Sequence, residues 1–320
     1  MTKKIRQVVQ EEQHGKRFDQ VAAKLFPEYS RSRLQGWIKS GDLLINGEQQ
    51  TQRHRVCDGD ELMLSAIEEV EVTAEPVDIQ LDIVYEDDDL LVLNKPAGLV
   101  VHPGAGNATG TLMNGLLHYD ERLKHLPRAG IVHRLDKDTS GLMVVAKTLV
   151  AHNNLSKQLQ DRSVSREYWA LVQGTMTGGA TVNAKIDRHP KHRIKMAVTE
   201  REDQGREAIT HYRVEKRFDA HTLVRCILET GRTHQIRVHM AHVRHPLVGD
   251  TLYGGRARVP ANASLELLDV LRSFPRQALH AKRLGLIHPV TLDAMEWECD
   301  LPDDFQALLT SVTEHRIEAK

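Results

Sequence analysis

The chain is short of cysteine, aromatic rings and long apolar runs, and each shortage removes a class of protein. Its 320 residues hold three cysteines, Cys57, Cys226 and Cys299. They are odd in number and far apart, so neither a disulfide framework nor a CxxC site is implied. Aromatic residues make up 4%, too few for a broad base-stacking sheet. No apolar stretch approaches the roughly 18 residues that a membrane helix needs. The opening Met1-Thr2-Lys3-Lys4-Ile5-Arg6 leads into polar residues and not into an apolar signal core. HExxH, GxSxG and GK[ST] are also missing, which removes the zincin, nucleophile-elbow and P-loop readings. The expectation is a reduced, cytoplasmic protein with no membrane partner.

Charge is present in quantity and unevenly spread. The formal net charge is -1, but residues 1–55 hold 11 Lys and Arg against 6 Asp and Glu. Residues 56–89 hold 13 acids and no base, and residues 90–320 hold 32 bases against 25 acids. Two basic bodies therefore flank an acidic stretch. A polyanionic partner feels the local field, screened over ~10 Å, and not the total. The competing reading is a solvated linker between two ordinary surfaces.

Residues 16–40 read as two short helices. One runs from about Arg17 to Phe26 and is stopped by Pro27. The other opens at Ser30, a good N-cap, with Leu34, Trp37 and Ile38 on one face and Arg31, Arg33 and Lys39 on the other. A strand at Leu43–Ile45 runs into the Asn46-Gly47 turn, and Gly59-Asp60-Glu61-Leu62-Met63-Leu64 supplies a closing strand. Over roughly residues 14–64 this helix–helix–hairpin unit resembles the S4 RNA-binding module. The resemblance assigns Arg17, Arg31, Arg33 and Lys39 to RNA contact. An unrelated small α/β cap is the alternative. The first domain is accordingly drawn at 1–75, its acidic linker included, and the second at 76–320.

In the second domain strands are expected at Leu81–Tyr85, Leu90–Leu93, Leu99–Val101, Gly141–Lys147, Tyr168–Val172, His211–Arg217 and Thr222–Leu228. Helices are expected near Thr111–Tyr119, Leu149–Gln160 and Thr233–His242. Strands and helices do not alternate strictly, so the fold class is α+β with a mainly antiparallel mixed sheet.

The run His133-Arg134-Leu135-Asp136-Lys137-Asp138-Thr139-Ser140-Gly141 precedes the apolar strand Leu142–Ala146 and concentrates the chemistry. Burying that strand draws Asp136 toward the core, where an ionised acid is costly unless a cation or several donors compensate it. Arg134 and Lys137 are local candidates for that cation. A distant one is Arg232, in Gly231-Arg232-Thr233-His234-Gln235-Ile236-Arg237, where a strand turns into a helix. A surface salt bridge is the bland alternative. His234, His239, His242 and His245 invite a metal reading, but neither acid nor cysteine lies among them before Asp250. Gly104–Gly110 departs from GxGxxG by one residue and reads as a turn. Tyr168 is a core tyrosine or a ring that faces a flipped base.

Taken together, His133-Arg134-Leu135-Asp136, Tyr168 and Gly231–Arg237 resemble the signature of the RluA/RluD family of pseudouridine synthases. Asn94-Lys95-Pro96-Ala97-Gly98-Leu99, Arg276-Gln277-Ala278-Leu279-His280-Ala281 and His288-Pro289 match the family in order. Val101–Gly106 and His239-Met240-Ala241-His242 point to its D-type branch, which acts on large-subunit ribosomal RNA. The resemblance implies isomerisation of uridine to pseudouridine without cofactor or metal. Asp136 would be the catalytic carboxylate and Arg232 its ion-pair partner. Tyr168 would stack on the base, Leu279 would line the pocket, and Arg134 would enter the RNA stack. It implies as partner the RNA of the large subunit or of an assembly intermediate, helix 69 in particular, with the enzyme a monomer. Two rival readings are a non-catalytic ribosome-assembly factor and a metal-dependent nuclease built on the histidines. The segment after Glu298 carries no signal.

Overall fold

Two apolar cores that share no residue divide the chain into Met1–Thr73 and Ala74–Lys320. The structure, a computed structural model, describes residues 2–318 except 28, 30, 68–74, 105–106, 193, 202, 256–257 and 261. The side chains of 2–4, 32–33, 66–67 and 316–318 also lie outside the described set.

The first unit contains β1 (Thr2–Val8), α1 (Phe18–Leu25), α2 (Arg31–Ser40), β2 (Leu43–Ile45) and β3 (Glu61–Ile67). Its sheet runs β1-β3-β2, antiparallel throughout. Asn46 and Gly47 both take positive φ, 51° and 82°, as an Asn-Gly turn requires. Leu34, Trp37 and Ile38 of α2 pack on Phe18 and Val21 of α1, so the apolar stripe expected for α2 forms this core. The strand β1 was not expected. Lys3, Lys4 and Arg6 interrupt the period-two pattern, although Ile5 packs against the core.

The second unit contains β4 (Ile83–Glu86), β5 (Leu90–Lys95), α3 (Leu112–Tyr119), β6 (Ser140–Ala146), α4 (Leu149–Gln160), β7 (Ser165–Gln173) and β8 (Ala180–Asn183). A short ribbon of β9 (Ile186–Arg188) and β10 (Met196–Val198) follows, then β11 (Ile209–Arg217), β12 (His221–Leu228) and α5 (Gln235–His242). The chain closes with α6 (Leu265–Ser273), β13 (Leu279–Ile287), β14 (Ala294–Glu298) and α7 (Asp303–Glu318). The main sheet runs β4-β5-β6-β13-β7-β12-β11-β8, with β14 beside β13. Among the described residues its one parallel pairing is β6 with β13. The fold is α+β with a mixed, mainly antiparallel sheet.

Both faces of that sheet are covered, which is why β6 is buried along its whole length. On one face Met143, Val145, Tyr168, Ala170, Leu279 and Ala281 form a core. On the other, Leu142, Val144 and Ala146 meet Leu155 of α4, and Leu171 meets α6 and α7. Leu99–Val101 is not a strand. The carbonyls of Val100 and Val101 instead accept the Leu112 and Met113 N–H groups at the start of α3, donors that a helix leaves unpaired. Among the described residues no helix is long and apolar enough to cross a membrane.

Candidate active site

The 133–139 loop is held from four directions. His133 is half-buried, and its Nε2 accepts the Val144 N–H of the following strand at 3.1 Å. Burial, with Arg166 adding to it, pushes this imidazole down to about 3, so it stays neutral and keeps accepting. Lys95, fully buried at the end of β5, donates to the carbonyls of Pro96 (2.7 Å), Leu99 (2.9 Å) and Lys137 (3.0 Å). Burial lowers its pKa to about 7, against the pull of Asp138 and Asp136. Arg276 donates to the Asp138 carbonyl at 3.1 Å while both Nε and Nη2 bind Asp304 of α7. Gln277 reaches Thr139 Oγ1 at 3.1 Å. Gly141, with φ at 114°, lets β6 approach β13; a Cβ there would lie 2.3 Å from the Ala281 carbonyl oxygen.

These anchors leave Asp136 with a side chain 16% exposed, facing α5. Arg237 Nη1 donates to its Oδ2 at 3.1 Å. The same guanidinium makes a bidentate pair with buried Asp250, Nε to Oδ2 at 2.7 Å and Nη2 to Oδ1 at 3.0 Å. Burial opposes the Arg237 charge, but Asp250 and Asp136 outweigh it and hold the group above its ordinary range. Asp250 is itself oriented by the Leu252 and Tyr253 N–H groups. The Tyr253 ring lies under Arg237, 5.1 Å from the guanidinium carbon to the ring centre. One fixed cation thus compensates two carboxylates, one buried and one part-exposed.

The expected partner Arg232 is not at Asp136. Its Nε donates to the Glu207 carbonyl at 2.9 Å, and its backbone N–H binds Gln235 Oε1. Burial lowers its pKa, and the neighbouring Arg206 and Arg162 lower it further. The reason is local: Arg232 sits in the turn before α5, whereas Arg237 lies inside the helix on its buried side. Tyr168 is buried in β7, opposite Ala281 of β13 and Cys226 of β12. Burial raises its pKa, and Asp136 contributes in the same direction. Leu279 opens β13 on the same face, next to Ala170. Arg134 is exposed.

Sequence reasoning passed over Lys95, Arg237, Asp250, Tyr253 and Arg276 as parts of this site. Lys95 carried a signal, a cation ending the apolar run Leu90–Leu93. The histidines do not gather. His239 bonds Thr210 and the Ala184 carbonyl, His245 the Gln173 carbonyl, and His234 Tyr253. Among the described residues the group with metal-ligand spacing is Asp87, Asp89 and His288. There Asp87 already accepts from Tyr85 Oη, His288 Nε2 and two backbone N–H groups, which makes it a turn clamp.

In the first unit a buried acid organises the basic face. Asp19 accepts from Arg17 Nε (2.9 Å), Gln35 Nε2 (2.9 Å) and Arg31 Nη2 (3.5 Å). Burial alone would raise its pKa, but these partners bring it below the usual value. Arg17 and Arg31 keep 40% and 55% of their side chains exposed. Lys39 lines a groove with Gln49, Gln50, Thr51, Gln52 and Arg53. The side chain of Arg33 lies outside the described residues.

Comparison with known proteins gives this geometry a family. The RNA pseudouridylate synthase family matches residues 89–242, and the S4 domain matches residues 16–62. The chain is 57% identical over 302 residues to ribosomal large subunit pseudouridine synthase D of Pseudomonas aeruginosa, covering 94% of this chain and 93% of that protein. It is 53% identical over 307 residues to the protein of the same description from Xanthomonas campestris pv. campestris, covering 96% and 92%. Among solved structures, human RNA pseudouridylate synthase domain containing 4 superposes with a TM-score of 0.57 at 29% identity, over 72% of this chain and 93% of that one. The chain belongs to the RNA pseudouridylate synthase family and is a pseudouridine synthase with an S4 domain ahead of its catalytic domain.

Proposed function

We propose that this enzyme isomerises uridines in the ribosomal RNA of the large subunit, with Asp136 as its catalytic carboxylate. The observation that carries the reading is the Asp136–Arg237–Asp250 array, in which Arg237 engages one oxygen of the part-exposed Asp136, close enough to Tyr168 for the carboxylate charge to act on its hydroxyl. The relatives described as large-subunit synthases supply the substrate. Breaking the C1′–N1 bond, turning the uracil and rejoining it through C5 moves one proton from C5 to N1 in net terms. Asp136 either attacks C1′ or takes the C2′ proton; in both routes its carboxylate is the reacting group, and Arg237 holds one of its oxygens in place.

The target base must leave its stack, which costs a few kcal/mol. Tyr168 stacks on the extruded uracil, a contact worth roughly 1–3 kcal/mol, and Leu279 closes the apolar side. Arg134, exposed beside Asp136, fills the space the uridine leaves. The S4 unit holds flanking phosphates through Arg17, Arg31, Arg33 and Lys39, and the groove beside Lys39 adds Arg53. We place the enzyme in the cytoplasm, as a monomer on the large-subunit RNA or an assembly intermediate, with the helix 69 stem-loop as target. Neither metal nor cofactor enters the scheme.

The decisive test is Asp136→Asn assayed on large-subunit RNA by carbodiimide mapping of pseudouridine. The expected outcome is loss of isomerisation with RNA affinity retained. Turnover by that variant would remove Asp136 from the chemistry, and strand cleavage sensitive to EDTA would replace the reading with a nuclease.

A further inference from the structure

Arg237 occupies Oδ2 of Asp136, and the other oxygen faces a histidine. His234 Nε2 lies 4.0 Å from Asp136 Oδ1. On the far side of the ring, Nδ1 lies 2.9 Å from Tyr253 Oη. The tyrosine oxygen already accepts the Met196 N–H of β10 at 2.8 Å, which favours giving its single proton to Nδ1 and so assigns that nitrogen as the acceptor. In that assignment the imidazole proton resides on Nε2, the ring nitrogen on the Asp136 side. His234 has αL backbone, φ 57° and ψ 22°. Such a conformation is uncommon outside glycine, and its cost is met by surrounding contacts. Here Tyr253 also packs edge-on against the ring, centroids 5.7 Å apart.

We propose that His234 is a positioning residue for Asp136. Held by Tyr253 as the Nε2–H tautomer, it offers a neutral donor to the oxygen that Arg237 leaves free. The inference rests on the reading of Asp136 as the catalytic carboxylate. Arg237 alone would let the carboxylate rotate about its Oδ2 contact, whereas a second donor on the other oxygen fixes the plane. Neutrality matters as much as position, because a second cation on Asp136 would blunt its power to attack or to accept a proton. Burial depresses the His234 pKa; Arg237 and Arg134 act with burial, and Asp136 and Asp250 against it. The separation of 4.0 Å exceeds a hydrogen bond, and catalytic contacts in substrate-free sites are often long and tighten on binding.

The test compares His234→Leu, His234→Gln and Tyr253→Phe in the full-length enzyme, with Asp136→Asn alongside. A glutamine places an amide N–H near the position of Nε2, and a leucine fills the space without a donor. His234→Leu is expected to lower kcat about tenfold, the worth of one hydrogen bond in the transition state. KM should change less than about twofold, because ground-state binding is untouched. His234→Gln should recover most of kcat, and Tyr253→Phe, which frees the ring to change tautomer, should fall between them. Unchanged kcat in His234→Leu, or equal losses in the leucine and glutamine variants, would overturn the proposal. If His234→Leu does not fold, an unimpaired Tyr253→Phe overturns it instead. An active Asp136→Asn marks failure of the underlying reading, whereas an inactive one beside a normal His234→Leu marks failure of this inference alone.

Discussion

Arg237 binds two carboxylates with one guanidinium, and removing it would strand both. Arg237→Met is expected to destabilise the second unit by about 3–5 kcal/mol, as breaking a buried pair leaves Asp250 uncompensated. The same change should reduce turnover by at least about a hundredfold through loss of a preorganised donor. Arg232→Met removes one bond to a backbone carbonyl and should cost about 0.5–1.5 kcal/mol, with most activity kept. Denaturant midpoints and single-turnover rates on the two variants separate them, and equal losses would contradict the assignment of Arg237. Both arginines stand in the motif that drew attention to this region. The expected and observed helices both leave Arg232 outside and Arg237 inside, so which of them meets Asp136 is set by the packing of α5 against the distant 133–139 loop, and local pattern does not carry that. Asp136 itself stood out because an acid ahead of a fully apolar strand needs a partner wherever that strand is buried.

At the scale of elements, the strands and helices with strong apolar periodicity were legible, β5, β6, β7, β12 and α4 among them. Short ones, such as β8 and the β9–β10 ribbon, were not, because three or four residues carry too little pattern. The segment after Glu298 gave no signal, yet it forms α7, whose Phe305, Leu308 and Val312 complete a core with Leu171 and α6. Its apolar positions serve that distant patch, and its exposed face is polar enough to hide them. Through Asp304 the helix also holds Arg276, and through Arg276 the Asp138 carbonyl. Phe305→Ala should therefore cost about 3–5 kcal/mol, the usual range for a deleted core ring. It should also speed amide exchange at Thr139, whose neighbouring carbonyl loses its fixed donor. Hydrogen exchange by mass spectrometry checks this, and unchanged exchange in the 136–140 segment would uncouple the helix from the loop.

At the scale of the whole molecule, each unit has its own core. Deleting residues 1–73 should leave the catalytic unit folded and lower RNA affinity, with a shallower dependence of log affinity on log salt. Each phosphate that is no longer neutralised takes roughly 0.7–0.9 off that slope. An unchanged slope would remove the S4 basic face from RNA binding. One parallel pairing in an otherwise antiparallel sheet, Ser140 opposite His280 and Gly141 opposite Ala281, has a consequence for how the enzyme comes into being. A parallel neighbour has to return from far along the chain, and pairings of such separation form slowly. During synthesis the 133–141 motif is complete early, but Arg276, β13 and α7 emerge long afterwards. Until they do, the 133–139 loop lacks the donors of Arg276 and the β13 pairing that hold it. Activity is therefore expected only once those late elements are in place, and a chain cut before Arg276 is expected to bind RNA through its S4 unit without turning it over.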